Sequence, residues 1–228
     1  MDWSQFRVIL FDLDGVLTPT TQIHRKAWSK MFNDYLREIG DDRTYTDDDY
    51  YKFVDGKPRY AGVRNYLESL GLNVSEEEVV RLGDLKNDDF SAVLERDGIE
   101  AYPGSKRLID QLHDAGVKMC VVSSSRNALA VLDAAGIRDY FEHVVDGNIA
   151  REQGLAGKPA PDTYSYAAHL CGEQNSAAVV VEDAISGVQA GAAGNFGLVI
   201  GVDRGAGVEA LEASGAQLVV SDLEELTK

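Results

Sequence analysis

The chain has 228 residues, 44% of them hydrophobic, enough for one good core or for one core with a smaller satellite domain. Its formal net charge is −16 and its pI is near 4.6. Such a surface excludes nucleic acid and anionic membrane as partners, and an anionic substrate needs a local exception built from metal, Lys, Arg and helix N-termini.

The N-terminus has no basic segment leading into an apolar one, and no apolar run approaches the length of a membrane span, so a cytoplasmic protein is expected. The first predicted element is a strand over residues 7–11, apolar and so suited to burial on both faces. It runs into Asp12 and Asp14, spaced i, i+2, which in a strand point to one side. Gly15 then lets the chain turn away. Two carboxylates converging at the C-terminal edge of a buried strand repel each other and need a cation or a shared proton. That layout suits Mg²⁺, with one carboxylate free to attack an electrophile such as phosphorus.

Residues 20–96 interrupt the strand pattern. Ile23, Ala27, Trp28, Met31, Phe32, Tyr35, Leu36 and Ile39 form a stripe of helical period. Asp47, Asp48 and Asp49 after Thr46 read as the acidic first turn of another helix. Val63, Tyr66, Leu67 and Leu70 form a second stripe, and Ser75 with Glu78 is a capping box opening a third helix. An all-helical insert is therefore expected, with the aromatic stripe as its own core. The remaining segments, 1–19 and 97–228, form the other unit.

Past residue 96, strand-like runs recur at 117–122, 144–145, 178–181, 197–202 and 218–220, with helices predicted over 105–115, 126–135 and 163–170. Strands alternating with helices imply an α/β fold, a doubly wound parallel sheet with a Rossmann-like core. Cys120 sits in an apolar run and reads as a buried, inert thiol. With Cys171 the only other cysteine, no spacing suggests zinc or a disulfide framework.

Several strand ends carry polar groups that a parallel sheet would bring to one edge. Val121-Val122 leads into Ser123-Ser124-Ser125-Arg126-Asn127, and Val179-Val180-Val181 leads into Glu182-Asp183, with Gly157-Lys158-Pro159 between them. Taken singly, Ser125 reads as a helix cap, Lys158 as a solvated charge and Glu182-Asp183 as an acidic helix start. Together they answer the needs of phosphoryl transfer, which depends on positioning and charge neutralisation. Asp12 would be the nucleophile, forming an aspartyl phosphate. Asp14 would move the proton, its pKa raised by neighbouring carboxylates. Asp12, Asp14, Glu182 and Asp183 would hold Mg²⁺, Glu182 through water. Lys158, Ser123, Ser124 and helix-start N–H groups would bind the phosphate.

The four motifs, D-x-D-G-V-L-T, S-S-S, G-K-P-A-P-D and V-E-D-A-x-S-G, stand in the order found in the haloacid dehalogenase superfamily, which the chain resembles over essentially its whole length. Within it, residues 20–28, Gly56 with Arg59, Lys86-Asn87-Asp88 and Ser125-Arg126-Asn127 resemble β-phosphoglucomutases. That resemblance implies a helical cap and a small-molecule sugar phosphate substrate interconverted through a bound bisphosphate. It further implies that Gly56, Arg59, Ser125, Arg126 and Asn127 contact the substrate, the Arg, Ser and Asn side chains holding the phosphate not being transferred. His24 and Lys86 would contact the sugar or orient Asp14. Pro19 and Lys57-Pro58 depart from these relatives' usual residues. A monomer is expected. The competing readings are a phosphatase of a small sugar phosphate, a receiver-type signalling domain, which is about half this length and lacks a cap, and an inactive sugar-phosphate sensor. No G-x-G-x-x-G follows the first strand, which disfavours a nicotinamide enzyme.

Overall fold

The computed structural model describes residues 1–227. Six parallel strands form one sheet in the order β3-β2-β1-β4-β5-β6. They are β1 (Val8–Phe11), β2 (Lys118–Val122), β3 (His143–Val145), β4 (Ala178–Glu182), β5 (Leu198–Val202) and β6 (Leu218–Val220). Each coincides with an expected strand to within one residue at either end. The near-continuous apolar runs follow from burial on both faces. Ile9 and Phe11 point into one core with Met119, Val121, Val179 and Val181. Val8 and Leu10 point into the other with Cys120, Val122 and Val180.

Helices α5 (Pro103–Asp114) and α6 (Ala128–Ala134) cover the first face through Leu108, Ile109, Leu112, Val131 and Leu132. Helices α8 (Asp162–Leu170), α9 (Ile185–Ala193) and α10 (Val208–Ala213) cover the second through Tyr164, Ala167, Ala168, Val188 and Leu211. Helix α7 (Gly147–Glu152), capped by Asp146, is too short for its periodicity to be read from sequence. Helix α9 is rich in Gly and Ala and shows no clear apolar stripe.

Between β1 and α5 the chain is helical: α1 (Thr20–Glu38), α2 (Asp47–Asp49) running into a π-helical turn (Tyr50–Val54), α3 (Arg59–Ser69) and α4 (Glu76–Asp97). Trp28, Met31, Phe32 and Tyr35 pack with Tyr66, Leu67, Val79 and Leu82 in a core of their own, as the stripe suggests. The ends of the stripe depart from it: Ile39 is exposed, whereas Ala27 and Ile23 join Phe90 and Leu94 against the main core. The capping box forms at Thr46 and Asp49. At Ser75 only half of the expected box is made, because Glu78's carboxylate turns to Arg81. Among the described residues no helix is long and apolar enough to cross a membrane.

The strand order reverses direction at β1, between β2 and β4, and the crevice outside the C-terminal strand edges at such a reversal is where ligands bind in open α/β sheets. Asp12, Ser123 and Asp183 each directly follow one of these three strands.

Candidate active site

Lys158 ties the three strand ends together. Its ammonium, almost wholly buried, donates to Asp12 Oδ1 (2.5 Å), Glu182 Oε1 (2.6 Å) and the Val122 carbonyl (3.1 Å). Glu182, fully buried, also accepts from the Tyr164 hydroxyl (3.0 Å) and, at Oε2, from the Ala184 N–H (2.9 Å). A buried ammonium is tolerated only with such partners. Glu182 therefore fixes the position of Lys158, a role the sequence alone did not reveal. The Lys158–Pro159 peptide is cis.

Asp12, Glu182 and Asp183 each bring a carboxylate oxygen within 4.8 Å of the others, all three buried. Burial drives the pKa values of Asp12 and Asp183 well above the usual carboxylate range. Lys158 opposes this at Asp12, while the carboxylates nearby add to it at both. One lysine does not balance this negative charge. Hard oxygen donors lacking positive charge are the donor set of a Mg²⁺-class cation, so the residues present fit that ion. Gly15 makes the cluster fit sterically: its φ is +91°, and a Cβ there would collide with the Asp183 carboxylate.

Asp14 does not join this group. Its Oδ1 accepts from the Thr20 hydroxyl (2.5 Å) and faces His24 Nε2 (3.2 Å), and its Oδ2 accepts from Ser123 (3.2 Å). Two expectations are corrected here: the carboxylate points toward the insert and not into the cation cluster, and its pKa is not raised. Burial pushes it upward, but the charge of His24, the hydrogen bonds from His24 and Thr20, and Lys86 outweigh burial and hold it at about 2. Beyond Asp14, His24 Nδ1 is hydrogen-bonded to Lys86 Nζ. Burial lowers the pKa of both groups, nearby cations lower it further (Lys86 and Arg59 at His24, Arg59 at Lys86) and Asp14 opposes them; Lys86 falls to about 7. Placing two buried cations side by side is costly, so at most one of the pair is charged at a time. His24 stacks on Phe90 (centroids 4.1 Å apart), and Lys86 lies over Trp28 and Phe90.

A second cationic end lies in the same cavity. Arg59 donates to Asn87 Oδ1 (2.5 Å), which also accepts from Asn127 (2.8 Å). Among the described residues the Arg126 guanidinium reaches only the Tyr60 hydroxyl (3.4 Å) and lies over its ring. Burial lowers the pKa of Arg59, and the charge of Arg126 lowers it further, as expected for two guanidinium groups close together. Ser125 Oγ accepts from the Asn127 N–H (3.2 Å), a cap-like bond. Asp12, Asp14, His24, Lys86, Arg59, Ser124, Ser125, Arg126 and Asn127 all line one cavity of about 70 Å³.

Besides these side-chain contacts, two core hydroxyls hold the backbone of the insert, Ser124 Oγ donating to the Gly56 carbonyl (2.9 Å) and Ser186 Oγ to the Asp55 carbonyl (3.2 Å). Gly56 has φ +68°, and a Cβ there would meet Ser186. In this arrangement the hydroxyls expected at the phosphate are engaged elsewhere: Ser124 with Gly56, and Ser123 with Asp14 and the Ser125 N–H. Asp55 and Tyr50 line the cavity but were not foreseen, and Lys57, noted above as a departure from the relatives, lines it too. Asp55 is raised to about 7, chiefly by burial. It follows an irregular π turn, which leaves no periodic signal in sequence.

The model of the haloacid dehalogenase-like hydrolase family matches residues 6–195. A β-phosphoglucomutase of Mycobacterium bovis is 43% identical over 98% of this chain and 92% of its own length. Hexitol phosphatase A of Escherichia coli is 29% identical over 96% of this chain and 92% of its own. The crystal structure of a β-phosphoglucomutase from Clostridium difficile superimposes with a TM-score of 0.83 at 26% identity, covering 97% of this chain and 93% of the other.

Proposed function

Because the chain belongs to the haloacid dehalogenase-like hydrolase family, we propose that it carries out phosphoryl transfer through Asp12, as a mutase interconverting β-glucose 1-phosphate and glucose 6-phosphate. The observation that carries the mutase reading is the second cationic end. A phosphatase needs one phosphate site, whereas a mutase must hold a phosphate at each end of a sugar. Arg59 and Arg126 share the cavity with Asp12, and Arg126 has no carboxylate partner among the described residues. Arginine's planar fork suits a phosphate there.

In this reading Asp12 attacks phosphorus while Lys158 and helix-start N–H groups neutralise the phosphate oxygens. Mg²⁺, held by Asp12 and Asp183 with Glu182 beside them, would supply charge neutralisation of the transferring phosphoryl group. Asp14, its pKa held at about 2, is ionised near neutral pH and so open to accept a proton. That is its first role when a phosphorylated Asp12 meets the sugar hydroxyl. The proton it gains returns to the leaving oxygen in the second half-reaction, so acid and base are one group used in turn. The cavity of about 70 Å³ is far smaller than the roughly 300 Å³ or more of ordinary ligand pockets. The described arrangement is therefore the closed one, and the insert must swing open to admit a sugar phosphate. Closure keeps water from the aspartyl phosphate.

The test is incubation with β-glucose 1-phosphate, Mg²⁺ and a trace of bisphosphate. Glucose 6-phosphate is expected to accumulate, and a chelator is expected to stop the reaction until Mg²⁺ is restored. Release of inorganic phosphate without glucose 6-phosphate overturns the mutase. It would favour the second reading, a Mg²⁺-dependent phosphatase of a small sugar phosphate, which the likeness to a hexitol phosphatase supports.

A further inference from the structure

Away from the catalytic crevice, the sheet edge at β3 gathers donor groups that sequence spacing does not connect. Cys120 and His143 are register partners on β2 and β3, so their side chains emerge on the same face of the sheet. Helix α8 covers that face and ends at Cys171. Cys171 Sγ lies 2.7 Å from Cys120 Sγ. A carboxylate oxygen of Glu142, a ring nitrogen of His143 and Cys171 Sγ all lie within 4.8 Å of one another. Among the described residues, neither the Glu142 carboxylate nor the His143 ring hydrogen-bonds or ion-pairs with any other group.

Lys118 is the neighbouring cation. Its ammonium is held by the Cys171 carbonyl (2.8 Å) and the Glu173 carboxylate (3.5 Å), so its charge is already answered. The plain alternative is that the two thiols only fill the core. It accounts for their burial but not for an imidazole and a carboxylate converging on the same sulfur.

We propose that Cys171, His143 and Glu142 form a binding site for a zinc-class divalent cation, its fourth position open to water, separate from the oxygen cluster at Asp12. A thiolate, an imidazole and a carboxylate select a borderline-soft ion over Mg²⁺. Tetrahedral Zn²⁺ at ligand distances of about 2.0–2.3 Å needs donors roughly 3.6 Å apart. The three convergent donors therefore draw inward by about an ångström, which side-chain rotation supplies. Binding forms one metal–sulfur bond and releases one thiol proton to solvent, while the imidazole enters neutral and the carboxylate ionised. The partly exposed His143 and exposed Glu142 leave an entry path. The ion would staple the edge strand to the end of α8.

The experiment titrates Co²⁺ and then Zn²⁺ into the full chain, stripped with chelator and kept reduced, in excess Mg²⁺. The expected result is a thiolate-to-cobalt charge-transfer absorption that saturates at one equivalent and is displaced by Zn²⁺. Cys171→Ser and His143→Ala, the second a solvent-accessible position that spares the fold, are each expected to weaken Zn²⁺ binding by about tenfold or more. Asp12→Asn should leave the absorption unchanged. No charge-transfer band, or one that persists unaltered in both variants, overturns the site. Cobalt at the oxygen cluster gives no sulfur band, so failure here is distinguishable from failure of the phosphoryl-transfer reading.

Discussion

At the residue scale, the site is a set of buried charges arranged so that each has an assigned partner except where a ligand belongs. Asp12 gives one oxygen to Lys158 and keeps the other for chemistry. Asp12→Asn should remove covalent phosphorylation, read by mass spectrometry of the intact chain, and lower turnover by about 10⁴-fold or more. A variant that still turned over at the original rate would end the nucleophile assignment. Lys86 makes a separate prediction about stability. Its folded pKa is about 7 against 10.5 for a free lysine. Between those values the native chain has lost the proton and the unfolded chain still holds it, so stability rises with pH across that window and is flat below it. Lys86→Met should flatten the rise, which can reach about 1.4 kcal/mol per pH unit. Urea midpoints at pH 7 and pH 9 measure it, and an unchanged slope would assign the effect to another group.

At the element scale, three strand ends and one turn position the chemistry. The β1 ladder continues into Asp12, whose N–H donates to the Val181 carbonyl (2.9 Å). Gly15 then turns the chain at φ +91°, against Asp183. Gly15→Ala strains that turn and pushes Asp183 away. The expected outcome is a loss of activity of at least about tenfold, together with a weaker requirement-curve for Mg²⁺ and a stability cost of about 1–3 kcal/mol. Wild-type Mg²⁺ dependence in a folded variant would show that the close approach is not needed. The strands were legible because burial on both faces forces an apolar run, whatever else the residues do. The π turn at Tyr50–Val54 was not, because its hydrogen bonding follows from packing over the site and not from a sequence period. Asp55, set by that turn, was missed for the same reason.

At the scale of the whole molecule, the net charge of −16 is countered locally by Lys86, Arg59 and Arg126 lining one cavity and by Lys158 buried beside Asp12 and Glu182. The insert seals that cavity partly through Ser186 and Ser124. Ser186→Ala removes one closing hydrogen bond, worth about 1 kcal/mol, so the closed population should fall and water should compete better for the aspartyl phosphate. Phosphate release relative to sugar phosphate interconversion should rise about fivefold; an unchanged ratio would show that this contact does not govern closure.

The sequence by itself determined the alternation of strands and helices, the helical insert, and the identity of the acids, serines and lysine at the strand ends, because these follow from local periodicity and from residue chemistry. It misjudged the pKa of Asp14: the residues alone pointed to crowding by carboxylates, whereas His24 and Lys86, which the resemblance had set beside it, outweigh them in space together with Thr20. It also separated Cys120 from Cys171 and His143, which one sheet face and one helix end bring together. Only the tertiary structure decided which charges are buried beside which, and the field at a buried group is set by its neighbours in space and not by those in sequence.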